Sequence, residues 1–155
     1  MVQKALVESK NIAFNLLPVT ISEMGMLNGI REICENNNGA NPGLKINFYT
    51  TDIPAVLPQM VEINVFRICQ EMITNIIKHA GATVASLQIF FLNNTLVIQM
   101  EDNGKGFNTL EINKKGLGLK SIETRVKLLA AEINIDSSPG NGTTITIHVP
   151  LKKES

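Results

Sequence analysis

Several absences narrow this chain before any motif is considered. It carries no net charge, 14 Lys and Arg balancing 14 Asp and Glu. The charges are interspersed, so there is none of the basic field that dominates nucleic-acid affinity. No nucleic-acid partner is expected, and any anion site must be local. No apolar run approaches the roughly 20 residues needed to span a bilayer, and the N-terminus lacks the basic-then-apolar pattern of a signal peptide. A cytoplasmic setting is therefore expected. Cys34 and Cys69 are the only cysteines; they have no Cys-x-x-Cys spacing, and nothing in the sequence places the thiols together. Both fall on apolar stripes of predicted helices, where a free thiol behaves as a small hydrophobe. Repeats and low-complexity tracts are absent too. What remains is 155 residues, the size of one compact domain with a substantial core.

Hydrophobic spacing lays out the elements. Val2 to Leu17 is predicted helical, with Val2, Leu6, Ser9, Ala13 and Leu16 on the alternating four-three spacing of a coiled-coil-like seam. Pro18 disfavours helix at Leu17, and Ser22 is placed to cap a second helix whose Met26, Leu27, Ile30, Ile33 and Cys34 share a face. Asn36 to Gly43, rich in asparagine and glycine, is expected to be a loop. Leu44 to Thr51 alternates as a half-buried strand. From Val61 to Ala80 the residues Val65, Ile68, Cys69, Met72, Ile73, Ile76 and Ile77 form one apolar helical arc, opposite Glu71, Asn75 and Lys78. Ala85 to Leu92 and Thr95 to Glu101 form predicted strands around an Asn93-Asn94 turn. A helix over Leu117 to Ala131 and a closing strand pair, Glu132 to Ser137 and Thr143 to Val149, complete an α+β pattern with mostly antiparallel pairing.

Four short segments carry candidate chemistry. Glu71, Asn75 and Lys78 are four and three residues apart and project from neighbouring turns of one helix face. A carboxylate, an amide oxygen and an ammonium there suit magnesium and phosphate, since magnesium takes oxygen ligands and keeps several waters. A solvated face with a Glu/Lys pair explains the same residues. Asp102-Asn103-Gly104-Lys105-Gly106-Phe107 begins where the strand of Leu96, Ile98 and Met100 runs out, and its glycines allow a backbone to approach a ligand closely; an ordinary turn does so too. Gly116-Leu117-Gly118-Leu119 opens a helix, and such an entry offers free N–H groups and a positive dipole end to phosphate, with Lys114, Lys115 and Lys120 alongside. A flexible linker is the plainer alternative. Gly140-Asn141-Gly142-Thr143 fits a hairpin turn without any ligand.

In this order the four segments resemble the ATPase domain shared by sensor histidine kinases, the Hsp90 chaperone, type II DNA topoisomerases and the MutL repair proteins. The spelling Gln70-Glu71-Met72-Ile73-Thr74-Asn75-Ile76-Ile77-Lys78-His79-Ala80 is closest to bacterial histidine kinases that signal to helix-turn-helix response regulators. The resemblance runs from about Asn11 to Pro150. It implies a two-layer α/β sandwich with a mixed, mostly antiparallel sheet and helices on one face, and it implies ATP and Mg2+ as cofactors. Asn75 would hold the magnesium, and Glu71, the second catalytic candidate, would lie near the metal's water shell and the γ-phosphate. Lys78 and His79 would contact phosphate and the nucleotide flank, although His79 also reads as a packed helix residue. Asp102 would accept a hydrogen bond from the adenine amine, beside Gly104, Gly106 and Phe107. Gly116, Leu117, Gly118 and Leu119 would receive phosphate, and Thr143 would back the adenine pocket. Asn108 to Lys115 would be a short lid, without the phenylalanine motif many such lids carry.

A histidine kinase also needs a phosphoacceptor histidine followed by an acidic residue. None is expected here: of the two histidines, His79 belongs to the asparagine motif, and His148 alternates out of phase with Ile145, Ile147 and Val149 and is expected to face away from the core. Ser9 to Pro18 instead resembles the second dimerisation helix and its exit. The expectation is a fragment: residues 1–20 a remnant of that helix and its linker, residues 21–155 the ATP-binding catalytic domain, unable alone to autophosphorylate. The implied partners are an upstream dimerisation and phosphoacceptor domain, a response-regulator receiver domain, and a second copy of the full-length protein, which has room for an inner-membrane anchor. The alternatives are a same-fold ATPase or serine-directed anti-sigma kinase, and a non-catalytic interaction module.

Overall fold

The computed structural model describes residues 25–114 and 119–151. The seam from Val2 to Leu16, the Ser22 cap and the boundary at residues 20 and 21 lie outside them. Helix α1 (Met26–Ala40) starts behind Gly25, which has φ of 82° and no side-chain cap. Strand β1 (Lys45–Thr51) follows, then helix α2 (Gln59–Asn75), which continues into a π-helical turn, Ile76–Ala80. The hairpin β2 (Val84–Leu92) and β3 (Thr95–Asp102), the 3-10 turn Thr109–Lys114, helix α3 (Leu119–Leu128) and the hairpin β4 (Glu132–Ser137) and β5 (Thr143–Pro150) complete the order.

The five strands form one sheet in the order β1-β2-β3-β5-β4. Only β1 and β2 run parallel; the other neighbours are antiparallel. Strand alternation sends one set of side chains to the helices and the other to solvent. Ile46, Leu87, Met100, Ile145 and Ile147 are buried on the helix side with Val65, Ile68, Cys69, Met72 and Ile122, while Gln88, Glu101 and His148 face outward and are exposed. The result is the expected two-layer sandwich. Asn93 and Asn94, with φ of 52° and 58°, turn the first hairpin, as residues tolerant of the left-handed region can.

The sequence and the structure part company at three places. The helix runs through Asn36, Asn37 and Asn38 to Ala40, so the expected loop shrinks to the few residues before β1. The cause is tertiary. Asn38 Oδ1 accepts from the Ile46 N–H at 2.8 Å and its Nδ2 donates to the Ile46 carbonyl at 2.9 Å, as a neighbouring strand would. These bonds, with Asn41 Nδ2 donating to Asn37 Oδ1 at 2.9 Å, outweigh asparagine's weak helix propensity. Second, Ile76 is buried but Ile77 is 44% exposed, because the wider π turn rephases the apolar arc there. Third, α3 ends at Leu128 and not at Ala131; Ala130, at φ of 51°, turns the chain into β4.

Both cysteines are buried and reduced, in the core as expected, and packing of α1 on α2 brings them within electrostatic reach of each other. Burial pushes the Cys34 thiol up to about 11, so it is an inert hydrophobe near neutral pH.

Candidate functional site

Strand register decides which residues meet at the end of the sheet beside the last turn of α2. Asp102 is paired with Ala85 on one side and Thr143 on the other. The last residue of β3 and the first of β5 therefore stand side by side, although 41 positions separate them in sequence. One step along the same face, Met100 pairs with Ile145. A cavity of ≈ 400 Å³ opens above these residues. Met100, Ile145 and Thr143 line it from the sheet, Met72, Asn75, Ile76, His79 and Ala80 from α2 and its π turn, and Leu119 from the start of α3.

Asp102 is 9% exposed. The Gly104 N–H donates to its Oδ1 at 2.8 Å, and among the described residues Oδ2 has no hydrogen bond, so an acceptor oxygen remains for a ligand. Burial holds this carboxyl above the ordinary carboxylate value of 3.8; the Gly104 N–H works against that, and neighbouring Glu101 adds to it. Glycine is required at two positions around it. A Cβ on Gly104 would collide with the Ala80 carbonyl oxygen, and one on Gly142, at φ of 69°, with the Asp102 carbonyl oxygen. The same close approach lets the Lys105 N–H donate to Ala80 O at 2.8 Å, clamping the loop after β3 to the end of the π turn. π-helical turns occur frequently at functional sites, and this one, which ends the helix, carries Lys78 and His79.

Of the residues expected at a nucleotide site, the cavity wall brings together Asn75, His79, Asp102, Gly106, Phe107, Leu119 and Thr143. Gly104 lies directly behind Asp102. Lys78 is exposed and lies outside the wall, as does Glu71, whose Oε1 accepts from Ser121 Oγ at 3.3 Å. Gly116, Leu117 and Gly118, and Lys115 of the expected lid, lie outside the described residues.

Three supporting residues escaped the sequence reading. Ser137 Oγ accepts from the Phe107 N–H at 2.9 Å, lies 3.0 Å from the Gly142 carbonyl oxygen and shares a 2.8 Å hydrogen bond with Thr143 Oγ1. One hydroxyl thus ties two motifs together. Asn103 Oδ1 accepts from the N–H groups of Thr83 and Val84 at 2.9 and 3.1 Å, fixing the chain between the π turn and β2. Lys105 adds a cation to the cavity wall. An isolated serine at a strand end gives no sequence signal. Lys105 and Asn103 stand inside the aspartate motif and were open to notice.

The donor set does not make a metal site by itself: among the described residues no cluster of three or more His, Cys, Asp or Glu is placed to hold an ion. Asn75 is the one side-chain amide residue on the cavity wall. That fits a magnesium ion arriving with phosphate oxygens and its own waters, the usual way this ion is bound.

A family model for histidine kinase-, DNA gyrase B-, and HSP90-like ATPases matches residues 60–153. The chain belongs to this family. Curated relatives match over nearly its whole length. The sensor protein VraS of Staphylococcus epidermidis is 30% identical over 154 residues, covering 99% of this chain and 43% of the relative; VraS of Staphylococcus aureus is also 30% identical, with 44% of its length covered. The chain thus spans less than half the length of these relatives. Among solved structures, the histidine kinase domain of the Erythrobacter litoralis EL346 blue-light activated kinase superposes with a TM-score of 0.67 at 22% identity, over 81% of this chain and 65% of that one. The mycobacterial sensor histidine kinase MprB gives 0.64 at 16% identity, over 83% and 96%. At these identities the likeness establishes the fold.

Proposed function

We propose that this ATPase-family domain binds Mg-ATP and presents the γ-phosphate to a histidine on a dimerisation helix, for relay to the receiver domain of a response regulator of the helix-turn-helix class. The observation that carries the reading is Asp102: a buried carboxylate with one oxygen held by its own backbone and the other available, on the wall of a cavity whose opposite side is Asn75 and His79. Adenine's amine supplies the missing donor, and the apolar faces of Met100, Ile145 and Ile76 suit the ring.

The roles proposed are those the family resemblance implies. Asp102 selects the base, with Thr143 beside it. Asn75 offers its amide oxygen to magnesium, and Glu71, one turn back on the same helix, serves the phosphate end. His79 flanks the nucleotide from the π turn, and Lys78 supplies an exposed charge nearby. Leu119 closes the cavity at the head of α3, where helix N–H groups suit phosphate. Magnesium, when bound with the nucleotide, neutralises charge on the phosphate oxygens. Phosphoryl transfer depends mainly on such positioning and charge neutralisation. In the full-length protein the partners are a phosphoacceptor domain and a second copy. We place this domain on the cytoplasmic side of an inner-membrane anchor in the full-length protein; among the described residues no helix is long and apolar enough to cross a membrane.

The test is calorimetric titration with ATP, with and without magnesium, of the parent and Asn75→Ala. The variant is expected to keep its circular dichroism, since Asn75 is only partly buried on the polar face of α2, and to lose the magnesium-dependent part of its ATP affinity. Parent-like binding of Mg-ATP, or an unfolded variant, rejects the role.

A further inference from the structure

We propose that Ser121 is a positioning residue for Glu71, coupling the orientation of that carboxylate to the seating of α3 against the nucleotide. The inference rests on the assignment of Glu71 to the phosphate end of Mg-ATP.

Ser121 and Arg67 draw Glu71 in different directions. Four residues back on its own helix is Arg67, 4% exposed, whose NH1 donates to Gln70 Oε1 at 2.9 Å; burial and then Arg125 disfavour its protonated form, while Glu71 favours it. Residues at this spacing face each other on a helix, and helical side chains lean toward the N-terminus. Left to these influences, the Glu71 carboxylate relaxes toward Arg67. That direction leads away from Asn75, one turn ahead. Ser121 opposes it from across the α2–α3 interface by donating Oγ to Glu71 Oε1 at 3.3 Å.

The position of Ser121 gives the contact its meaning. Ser121 is in the first turn of α3, two residues after Leu119, which lines the nucleotide cavity. One turn therefore touches the ligand space with one side chain and holds Glu71 with another. A shift of α3 on nucleotide binding would reach the carboxylate directly. The helix does not depend on this contact for its place: Arg125 NH1 donates to Asn64 Oδ1 at 3.1 Å one turn further on, and Ile122 and Val126 are buried in the core. Removing the Ser121 hydroxyl should leave α3 docked while releasing Glu71.

The experiment measures ATP affinity by calorimetry, in magnesium and in excess chelator, for the parent, Ser121→Ala, Ser121→Thr, Glu71→Gln and the Glu71→Gln/Ser121→Ala double variant. The readout is the ratio of the two affinities. Ser121→Ala and Glu71→Gln should each lower it, by about tenfold for the loss of an interaction of about 1.4 kcal/mol. The double variant should fall no further than Glu71→Gln, because the serine acts through the glutamate. Ser121→Thr, which keeps the hydroxyl, should retain the parent ratio. If Glu71→Gln lowers the ratio and Ser121→Ala does not, the positioning role is wrong and the reading of Glu71 stands. If Glu71→Gln leaves the ratio unchanged, the assignment of Glu71 fails and takes the positioning role with it. An additive double variant, or a Ser121→Thr ratio as low as that of Ser121→Ala, also overturns the proposal, since the serine would then act through packing.

Discussion

Asp102 concentrates the chemistry of the site in one side chain, and its burial makes two outcomes testable. Adenine offers an amine donor where guanine offers a carbonyl acceptor. A carboxylate oxygen that can only accept is satisfied by the first and faces a second acceptor with the other. An unpaired buried acceptor costs about 1–3 kcal/mol, more when charged, so GTP should bind at least about tenfold more weakly than ATP. Asp102→Ala should weaken ATP binding and narrow that gap; equal affinities of the parent for both nucleotides in paired titrations would remove Asp102 from the base site. The second outcome concerns pH. Because burial raises the Asp102 pKa above its ordinary 3.8, the folded protein binds more protons than the unfolded chain between those two values. This contribution to stability is therefore greatest below 3.8 and is lost as pH rises through the folded value. Asp102→Asn removes the titration. Denaturant unfolding at a series of pH values should show the parent losing stability relative to Asp102→Asn as pH rises through that window; a difference between the two that is independent of pH would contradict it.

The elements differ in how far they could be foreseen, and the difference follows the range of the forces that made them. Strands β2 to β5 were legible because alternation and turn chemistry are local: Asn93-Asn94 and Gly140 to Gly142 mark both hairpins. Asp102 and Thr143 were legible as motif residues, but their adjacency comes from register between β3 and β5, which no local pattern specifies. The same limit hid Ser137 and its bridge between Phe107 and Thr143, and it explains α1. Asn36 to Asn38 read as a loop because asparagine alone favours one, and the helix survives there through side-chain bonds to β1. At the edge of the sheet Asn38 takes the place of an absent strand neighbour for Ile46. Asn38→Ala should therefore destabilise the fold by about 1–3 kcal/mol, two ordinary hydrogen bonds. Urea unfolding is expected to show a lower midpoint with an unchanged slope, while the affinity of the cavity, which Asn38 does not line, for ATP is unchanged. A midpoint equal to the parent's would mean that water replaces Asn38 at the strand edge without loss.

At the scale of the whole molecule, helices and sheet enclose a cavity whose walls come from α2, β3, β5 and the start of α3, so occupancy and stability must be linked. The walls are built from distant parts of the sequence that meet only in the folded state. A ligand that fills the cavity therefore binds the native chain and not the unfolded one. Saturation with Mg-ATP at about 100 times its dissociation constant should add about 2.7 kcal/mol to stability, visible as a rise in melting temperature that grows with nucleotide concentration. Phosphoryl transfer needs one thing more, an acceptor. The chain has two histidines: His79, on the wall of the cavity itself, and His148, on the outward face of β5, where alternation turns it away from the cavity. His79 belongs to the motif proposed to bind the nucleotide, and His148 lies away from it, so neither is expected to be the acceptor. Incubation with γ-labelled Mg-ATP should thus give thermal stabilisation without acid-labile phosphate on this chain, and labelling should appear only when a separate phosphoacceptor domain is supplied. Stabilisation without self-labelling is the expected pair of results; acid-labile phosphohistidine on this chain alone would show that one of its two histidines accepts the phosphoryl group, and absence of any thermal shift at millimolar nucleotide would show that the cavity does not bind ATP.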